Sequence, residues 1–402
     1  MAFGRQAAAG EVKEALAFIA TVIGQSRLDR RWTELESQRR SAVRGVHVAQ
    51  AYSLELAHHD AVTEGALELG WPSPDGNPPL LRLYAFAATL RRLHARLGER
   101  AQARLRGSLS RHYLQDVGLR PMAYEMAIAV HLSRMGFCLG FNDLEQAGGF
   151  DFLATDSSGT EIEVECKHLS ADIGRKIHKN EAYTLLELLM PVFAENGGSV
   201  GDGQVLIVEV PDRLEGSRPR MDEIVGLVAT AFRSANRRSE SESASVSLLG
   251  EDAERRDTLW RSGLHHSARF GNLRVILRSA KTDKVIDKIE RKLKDDVERQ
   301  FTRLRPALLF TQVSDLSAAQ LVQLERDERG QRHPLKSMAS RILHSREYLS
   351  AVSLTTLGDP VAETSPGNPV GDRGVSFGLL QLSSFHPAYA AVQRAALGPE
   401  AL

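Results

Sequence analysis

The first 115 residues carry apolar side chains at helical spacing. Two sets recur every three or four residues, at Val12, Ala15, Phe18, Ile19 and Val22 and at Leu83, Phe86, Leu90, Leu93 and Leu97. This spacing places each set on one face of a helix. Residues 72–79 are rich in proline and predict a loop between helices. We therefore predict a helical N-terminal domain over residues 1–115.

A two-residue period replaces the helical one further along the chain. Every second residue of the segment 161–167 is apolar, which is the pattern of a half-buried strand. Residues 150–154 predict a shorter strand, and the serine, glycine and aspartate content of residues 155–160 is typical of a turn. The two strands are therefore predicted to form a hairpin, which would bring Asp151 close to Glu165.

Further strand and helix patterns follow. A continuous apolar run predicts a buried strand over residues 204–210, and residues 307–313 resemble another buried strand. Strands are also predicted over residues 273–277 and 348–355. Apolar stripes predict helices over residues 172–193 and 283–304. Loops are predicted over the Ser- and Glu-rich residues 237–256 and the Gly- and Pro-rich residues 357–374, and a last apolar run covers residues 375–382.

The order of these elements predicts an α/β protein. We expect a mixed central sheet flanked by helices over residues 116–320, interrupted by the loop near residues 237–256. The run over residues 204–210 is expected in that sheet, as its fourth core strand. Residues 321–402 are predicted to form a C-terminal extension that packs on this core.

One face of the predicted strand over residues 161–167 is unusually charged. Its members are Glu161, Glu163, Glu165 and Lys167. Like charges side by side on a strand repel each other unless a cation lies between them. Hard cations such as Mg²⁺ bind carboxylate and carbonyl oxygens, so Asp151, Glu165 and the backbone carbonyl of Cys166 form a candidate partial coordination shell. Lys167 could then position or help deprotonate an attacking water and stabilise charge on a phosphate. The alternative interpretation is a solvated hairpin face.

These residues resemble the PD-(D/E)xK nuclease superfamily, whose restriction-endonuclease-like fold has an aspartate on its second core strand and an acid-x-lysine on its third. Asp151, Glu165 and Lys167 match these positions, whereas Phe150 stands where the motif has proline. Residues 121–140 resemble the first core helix of the family, and Glu125 corresponds to the glutamate that this helix often supplies. The resemblance implies a restriction-endonuclease-like core, catalysis by these four charged residues, and Mg²⁺ or Mn²⁺ as cofactor.

Positive charge is concentrated locally, although the chain has 51 basic and 51 acidic residues. Between residues 79 and 112, eight arginines accompany the single acid Glu99. An unbalanced positive face can neutralise phosphates and release counterions, whereas the alternative is a solvated helix face. The predicted nucleic-acid-binding residues lie here and after the acid-x-lysine strand: Arg91, Arg92, Arg96, Arg100, Arg104, Arg175, Lys176 and Lys179.

The composition is that of an ordinary globular protein, with 42% hydrophobic and 25% charged residues among 402. We predict a cytoplasmic protein without membrane contact, because no apolar run reaches the ~20 residues of a membrane helix and the N-terminus lacks a signal-peptide core. Cys138 and Cys166 are predicted to be core residues. Adjacent histidines such as His58 and His59 cannot both face one metal from a helix and are interpreted as solvated or simply polar.

Together these features predict a magnesium-dependent deoxyribonuclease, specifically an endonuclease of bacterial DNA processing or anti-phage defence. DNA and RNA substrates, and a homodimer, are all compatible with the sequence. Two alternatives stay open. One is a nucleic-acid-binding module of the same fold without catalysis, and the other is a nuclease subunit controlled by a helicase or another defence-system partner.

Overall fold

A computed structural model describes the backbone over ten ranges, and the side chains as far as residue 355. The ranges are residues 9–63, 78–146, 149–170, 172–196, 203–250, 266–314, 334–355, 357–363, 374–379 and 382–385. The chain divides into two compact units. Unit 1 comprises Met1–Ser41, Gly45–Ser170 and Ile289–Leu402, and unit 2 comprises Ala42–Arg44 and Ala171–Lys288.

Helices occupy the described part of the chain before residue 115, as predicted. They are α1 (Ala9–Ile23), α2 (Gln25–Arg39), α3 (Gly45–Ala51), α4 (Ser53–Thr63), α5 (Pro78–Arg96) and α6 (Glu99–Leu114). The apolar stripes face inward, and Ala15, Leu83 and Leu93 are fully buried. Pro78 and Pro79 open α5, where proline is tolerated because the first amide groups of a helix have no intrahelical acceptor. The other residues of the predicted loop lie outside the described ranges.

The main sheet of unit 1 is mixed, which confirms the predicted α/β class. Before it, α7 (Arg120–Arg134) leads into β1 (Cys138–Phe141), α8 (Asn142–Glu145), β2 (Phe152–Thr155) and β3 (Glu161–Ser170). These three strands pair antiparallel. Next to β3 lies β9 (Ala307–Ser314), followed by β10 (Leu349–Thr355), both parallel to their neighbour, and β13 (Leu382–Phe385) closes the sheet antiparallel.

Unit 2 has a second mixed sheet and a core of its own. Its helices are α9 (Lys179–Asn196) and α10 (Arg218–Arg233), and its strands are β4 (Gln204–Val210), β5 (Arg238–Glu240), β6 (Ser245–Gly250), β7 (His266–Phe270) and β8 (Leu273–Ser279). The strand order is β5-β6-β4-β8-β7. Apolar residues of both helices join one cluster with side chains of the sheet. The chain then continues through α11 (Val285–Gln300) to β9.

The strand predicted over residues 204–210 exists, but its predicted place was wrong. It is the central strand β4 of the second sheet, and residues 273–277 belong to β8 beside it. The strand that follows β3 in the first sheet is β9, which the sequence also predicted as a buried strand. A continuous apolar run shows that a strand is covered on both faces but does not identify its neighbours, so the pattern could not separate the two sheets.

Three further predictions need correction. Residues 237–256 are not wholly loop, because they contain β5 and β6, and residues 251–256 lie outside the described ranges. Residues 357–363 form β11 (Leu357–Glu363), which pairs with β12 (Gly374–Leu379), so only part of the predicted loop stays unassigned. Cys138 is exposed on β1, whereas Cys166 is buried as predicted. Between β9 and β10 the chain forms α12 (Pro334–His344).

Candidate active site

The pairing of β2 with β3 brings the predicted aspartate and glutamate together. Phe152 lies opposite Val164, and continuing this register by one position places Asp151 opposite Glu165. The backbone amide of Asp151 donates to the carbonyl of Val164 at 3.0 Å. Its carboxylate Oδ2 accepts a hydrogen bond of 2.6 Å from the amide of Cys166. Asp151 therefore sits just before β2, rather than inside it, with its side chain fixed against β3.

Glu165 is a buried carboxylate with one oxygen in an ion pair and the other without a hydrogen-bond donor. The residue is 2% exposed. Its Oε1 pairs with the ammonium group of Lys167. Its Oε2 is sealed from solvent and has no hydrogen-bond partner among the described residues. A buried carboxylate oxygen without a donor is unfavourable, so this atom is suited to accept a cation.

Lys167 keeps its charge in this position. Burial by itself would lower the pKa of Lys167, but attraction to Glu165, the hydrogen bond to that carboxylate and attraction to Asp151 outweigh it, and the pKa is raised above its usual value. A lysine that stays protonated at neutral pH donates hydrogen bonds and cannot accept a proton. The geometry thus favours a role in positioning and charge stabilisation over one in deprotonating water.

Two more carboxylates, those of Glu125 and Asp151, interact electrostatically with Glu165. Glu125 of α7 is half-buried, and burial together with repulsion from Asp143 and Glu165 raises its pKa to about 8. Burial, Glu125 and Glu165 raise the pKa of Asp151 well above its usual value. Burial raises the pKa of Glu165 itself to about 7, against the opposing attraction of Lys167. Carboxylates that resist ionisation because they are buried and repel one another are typical of a site that binds a cation or performs acid-base chemistry.

Asp143 is the member of this group that the sequence analysis missed. It lies on α8, a single helical turn between β1 and β2, and reaches the solvent-exposed rim. Protein atoms packed around it nevertheless desolvate the carboxylate and raise its pKa to about 6. No strand alternation marks this position. The only signal in the sequence is an acid-rich turn, Asn142 to Glu145, directly before the motif.

Hydrogen bonds hold α8 in place. The amide of Asn142 donates to the carbonyl of Asp151 at 2.9 Å, and the Asn142 side chain donates to the carbonyl of Phe150 at 3.3 Å. At the other end, the guanidinium of Arg104 donates to the carbonyl of Leu144 at 3.0 Å and to that of Gln146 at 3.3 Å. Because both ends are tied, the position of Asp143 relative to Asp151 is well defined.

The other glutamates of β3 have neighbours that give them a structural role. Glu163 is fully buried, and its carboxylate accepts a hydrogen bond of 2.8 Å from the amide of Thr302 and another from the Thr302 hydroxyl. Arg305 pairs with Glu161 at 2.7 Å and lies 3.6 Å from Glu163. The sequence therefore predicted correctly which charged residues of β3 share one face of the strand. Of these, only Glu165 and Lys167 belong to the candidate site.

The donor set of the cluster fits a hard divalent cation. Asp151 and Glu165 supply carboxylate oxygens, one of them without a donor, and the backbone carbonyl of Cys166 lies between the site residues in sequence. Burial and nearby carboxylates raise the pKa of the Cys166 thiol well above its usual value, so its sulfur is protonated and is no ligand for a hard ion. Within the described ranges, three side-chain ligand atoms within 4.8 Å of one another occur at Glu36, His59 and Asp60 and not in this cluster. The cluster thus offers two carboxylates and a carbonyl rather than a closed cage.

Some of the predicted phosphate-binding residues contact acidic groups, carbonyls or aromatic rings of the protein, whereas others are exposed. Both guanidinium arms of Arg92 contact Glu11, at 2.7 Å for Nη2, and Arg104 contacts the carbonyls that end α8. Arg91 lies over the ring of Phe18, while Arg96 and Arg100 are exposed. In unit 2, the Arg175 guanidinium lies 3.3 Å from His266 Nε2, the Lys176 ammonium pairs with Asp212, and the Lys179 amide donates to Asp172. Nucleic-acid binding by these residues stays a prediction.

No helix in the described ranges has the length and apolar character needed to cross a membrane. Comparison of the chain with known protein families, with curated proteins and with solved structures finds no match. The residues and their geometry are therefore the basis on which a function is assigned.

Proposed function

We propose that this protein is a divalent-metal-dependent nuclease that hydrolyses phosphodiester bonds of DNA, acting as an endonuclease in bacterial DNA processing or anti-phage defence. The observation that carries the proposal is the contact between Glu165 and Lys167 opposite Asp151, with Glu165 Oε2 buried and lacking a donor. An Asp, an acid-x-Lys and a helical glutamate in one cluster are what the resemblance to the PD-(D/E)xK superfamily implies.

The order of elements in unit 1 supports a restriction-endonuclease-like core. A helix, α7, precedes three antiparallel strands, and a fourth strand, β9, pairs parallel to the third. The acid-x-Lys pair lies in the middle of the third strand, and the aspartate lies directly before the second. Unit 2 occupies the connection between the third and fourth strands of this proposed core.

Asp151, Glu165 and the carbonyl of Cys166 would hold Mg²⁺ or Mn²⁺, with Glu125 nearby. When bound, the ion supplies Lewis-acid polarisation of a phosphoryl oxygen and lowers the pKa of a water molecule. Lys167, charged and directed by Glu165, donates hydrogen bonds to the attacking water or to the phosphate. The water oxygen would form a new bond to phosphorus as the P–O bond to the leaving sugar oxygen breaks. The water would release its proton to solvent, the leaving oxygen would take up a proton from solvent, and the Lys167 ammonium would stabilise the negative charge that develops on the phosphate. The hydrogen bond from the Cys166 amide keeps Asp151 oriented throughout.

The test is incubation of the purified full chain with closed-circular and linear DNA and with RNA, in Mg²⁺, Mn²⁺ or EDTA. We expect cutting of DNA that EDTA abolishes and that Glu165→Gln or Lys167→Met reduces by roughly 10²-fold or more, because each removes a contact made to the reacting groups. Glu161→Gln is the matched control on the same strand face and should cleave normally. Undiminished cleavage by Glu165→Gln or Lys167→Met overturns the mechanism.

The same assay separates the alternatives. A nucleic-acid-binding module without catalysis would retain DNA in a gel-shift experiment and give no product with either metal. A subunit controlled by a partner, for example a helicase, would be silent alone and cut only after addition of the complex purified from its native cells. Cutting of closed circles by the isolated chain supports a self-sufficient endonuclease.

A further inference from the structure

The adjacent histidines of α4 face different surroundings. His58 is buried, and its Nδ1 lies 2.8 Å from the hydroxyl of Tyr113. His59 is only partly buried and lies against Trp32 of α2, with ring centroids 4.9 Å apart. The sequence interpretation of this pair as solvated or simply polar was therefore wrong for His58. It also did not identify the carboxylates of Glu36 and Asp60 close to His59.

Three potential metal ligands converge next to His59. Glu36 comes from α2, and His59 and Asp60 come from α4. One ligand atom of each lies within 4.8 Å of the other two. His59 and Asp60 are consecutive on α4, but unlike the expectation for adjacent histidines their ligand atoms approach each other. His59 Nδ1 is 3.6 Å from Asp60 Oδ1, a distance longer than a hydrogen bond. The ring of Trp32 restricts the orientation of the imidazole, so the convergence is held by packing.

Two of these atoms lack a hydrogen-bond partner. Glu36 Oε1 and His59 Nδ1 are sealed from solvent and have no hydrogen-bond partner among the described residues. The guanidinium of Arg39 lies 3.3 Å from Glu36 Oε1, on a side chain that is 43% exposed. Buried polar atoms in native proteins are almost always satisfied. Because a carboxylate oxygen of Glu36 and a ring nitrogen of His59 lie within 4.8 Å of each other, one metal ion between the two side chains would satisfy both.

We propose that Glu36, His59 and Asp60 form a binding site for a transition-metal dication of the Zn²⁺ class, which links α2 to α4. Imidazole nitrogen favours Zn²⁺ and its neighbours in the first transition row over Mg²⁺ or Ca²⁺. Ligand bonds of about 2.0–2.2 Å would draw the three atoms slightly closer together, and water would complete the four-coordinate shell. The site is separate from the carboxylate cluster around Glu165, and its existence does not depend on the nuclease proposal.

The experiment is a Zn²⁺ titration of the chelator-treated full chain by calorimetry. It is done in an Asp151→Asn, Glu165→Gln background, so that the carboxylate cluster does not compete for the ion. We expect one equivalent of Zn²⁺ to bind. His59→Ala or Glu36→Gln should weaken binding by roughly tenfold or more, since each removes a direct ligand. His344→Ala, which removes a histidine from α12, is the control and should bind Zn²⁺ as the background does.

Arg39→Gln gives a test that general destabilisation could not mimic. Arg39 competes with the metal for Glu36 and repels a cation, so its removal should tighten Zn²⁺ binding several-fold. Co²⁺ in place of Zn²⁺ should give a visible absorption band that His59→Ala abolishes. Circular dichroism establishes that each variant is folded. A background protein that binds no Zn²⁺, or folded Glu36→Gln or His59→Ala variants with unchanged affinity, would overturn the proposal.

Discussion

At the scale of single residues, Asp143 acts electrostatically on the carboxylates of the candidate site, and on the proposed function we expect it to strengthen cation binding there. Its charge helps to raise the pKa values of Glu125 and Asp151, so it adds to the negative potential at the site. Asp143→Asn removes that charge while keeping the side-chain shape. We expect the Mg²⁺ concentration for half-maximal cleavage to rise by roughly tenfold, the effect of about 1.4 kcal/mol of lost attraction. Measurement of cleavage rate against Mg²⁺ concentration tests this.

Glu145→Gln provides the control for that experiment, because Glu145 is an exposed acid on the same helical turn. Its removal should leave the Mg²⁺ dependence unchanged. An equal shift for both variants would show that only the general surface charge matters, and no shift for Asp143→Asn would remove Asp143 from the site.

Glu55 is a second buried acid, and its effect is on stability rather than on the site. Its carboxylate accepts a hydrogen bond of 2.6 Å from the amide of Leu119, and burial raises its pKa to about 7. The unfolded chain loses this proton near pH 4.5 and the folded chain near pH 7, so the folded state is penalised as pH rises through this window. His58 has the opposite dependence, because burial lowers its pKa to about 4 and stability falls as pH decreases below about 6.5.

We therefore expect Glu55→Gln to stabilise the protein at pH 8 relative to pH 5, by at most on the order of 3 kcal/mol. Thermal melts of the wild type and the variant across this range measure the difference. The variant should lose the part of the decline above pH 4.5 that Glu55 causes, while the contributions of His58 and of the raised carboxylates Glu125, Asp143 and Glu165 stay as in the wild type. Glu14→Gln, which removes an exposed acid of α1, should leave the pH profile as it is in the wild type. Parallel profiles for Glu55→Gln and the wild type would contradict this prediction.

At the scale of elements, β3 shows how far alternation predicts a site. The two-residue period correctly placed Glu165 and Lys167 on one face and Cys166 on the other, since strand geometry alone determines this. It could not distinguish Glu163 from Glu165, because both point the same way and only tertiary neighbours separate them. Thr302 satisfies the carboxylate of Glu163, whereas Glu165 Oε2 has no donor in the part of the chain that the structure describes. Asp143 escaped prediction for a related reason, because a single helical turn has no period to read.

The two outer glutamates of β3 form a matched pair for a stability test. Glu163 is fully buried and hydrogen-bonded to Thr302, so Glu163→Ala should lower the free energy of unfolding by about 1–3 kcal/mol. The side chain of Glu161 is 43% exposed, and Glu161→Ala should lower it by about 0–1 kcal/mol. Urea denaturation of both variants gives these values. Equal decreases in the free energy of unfolding for the two variants would mean that the hydrogen bonds between Glu163 and Thr302 do not stabilise the packing of β3 against the segment before β9.

At the scale of the whole molecule, the connection between β3 and β9 contains a compact unit. Parallel neighbours always need a crossover, which is usually a single helix. Here the chain forms all of unit 2 except Ala42–Arg44 within this connection, and α11 leads on to β9. Apolar runs and stripes predicted β4, β8, β9 and β10 and the helices α9 and α11, but not α10, α12 or the strands β5, β6 and β7. The distribution of the strands over two sheets was not predictable, because the β4 and β9 patterns are equally apolar and strand partners depend on contacts distant in sequence.

Unit 2 has the features of a segment that folds on its own. All buried members of its main apolar cluster except Val43 lie between Ile177 and Leu277. A fragment of residues 171–288 should therefore give a cooperative thermal transition and a mixed α/β dichroism spectrum. Leu206→Asp, which places a charge in the middle of β4, should abolish that transition. Because Asp151, Glu165 and Lys167 all belong to unit 1, the folded fragment should cleave no DNA. A fragment that melts without cooperativity would show that unit 2 depends on the rest of the chain for its fold.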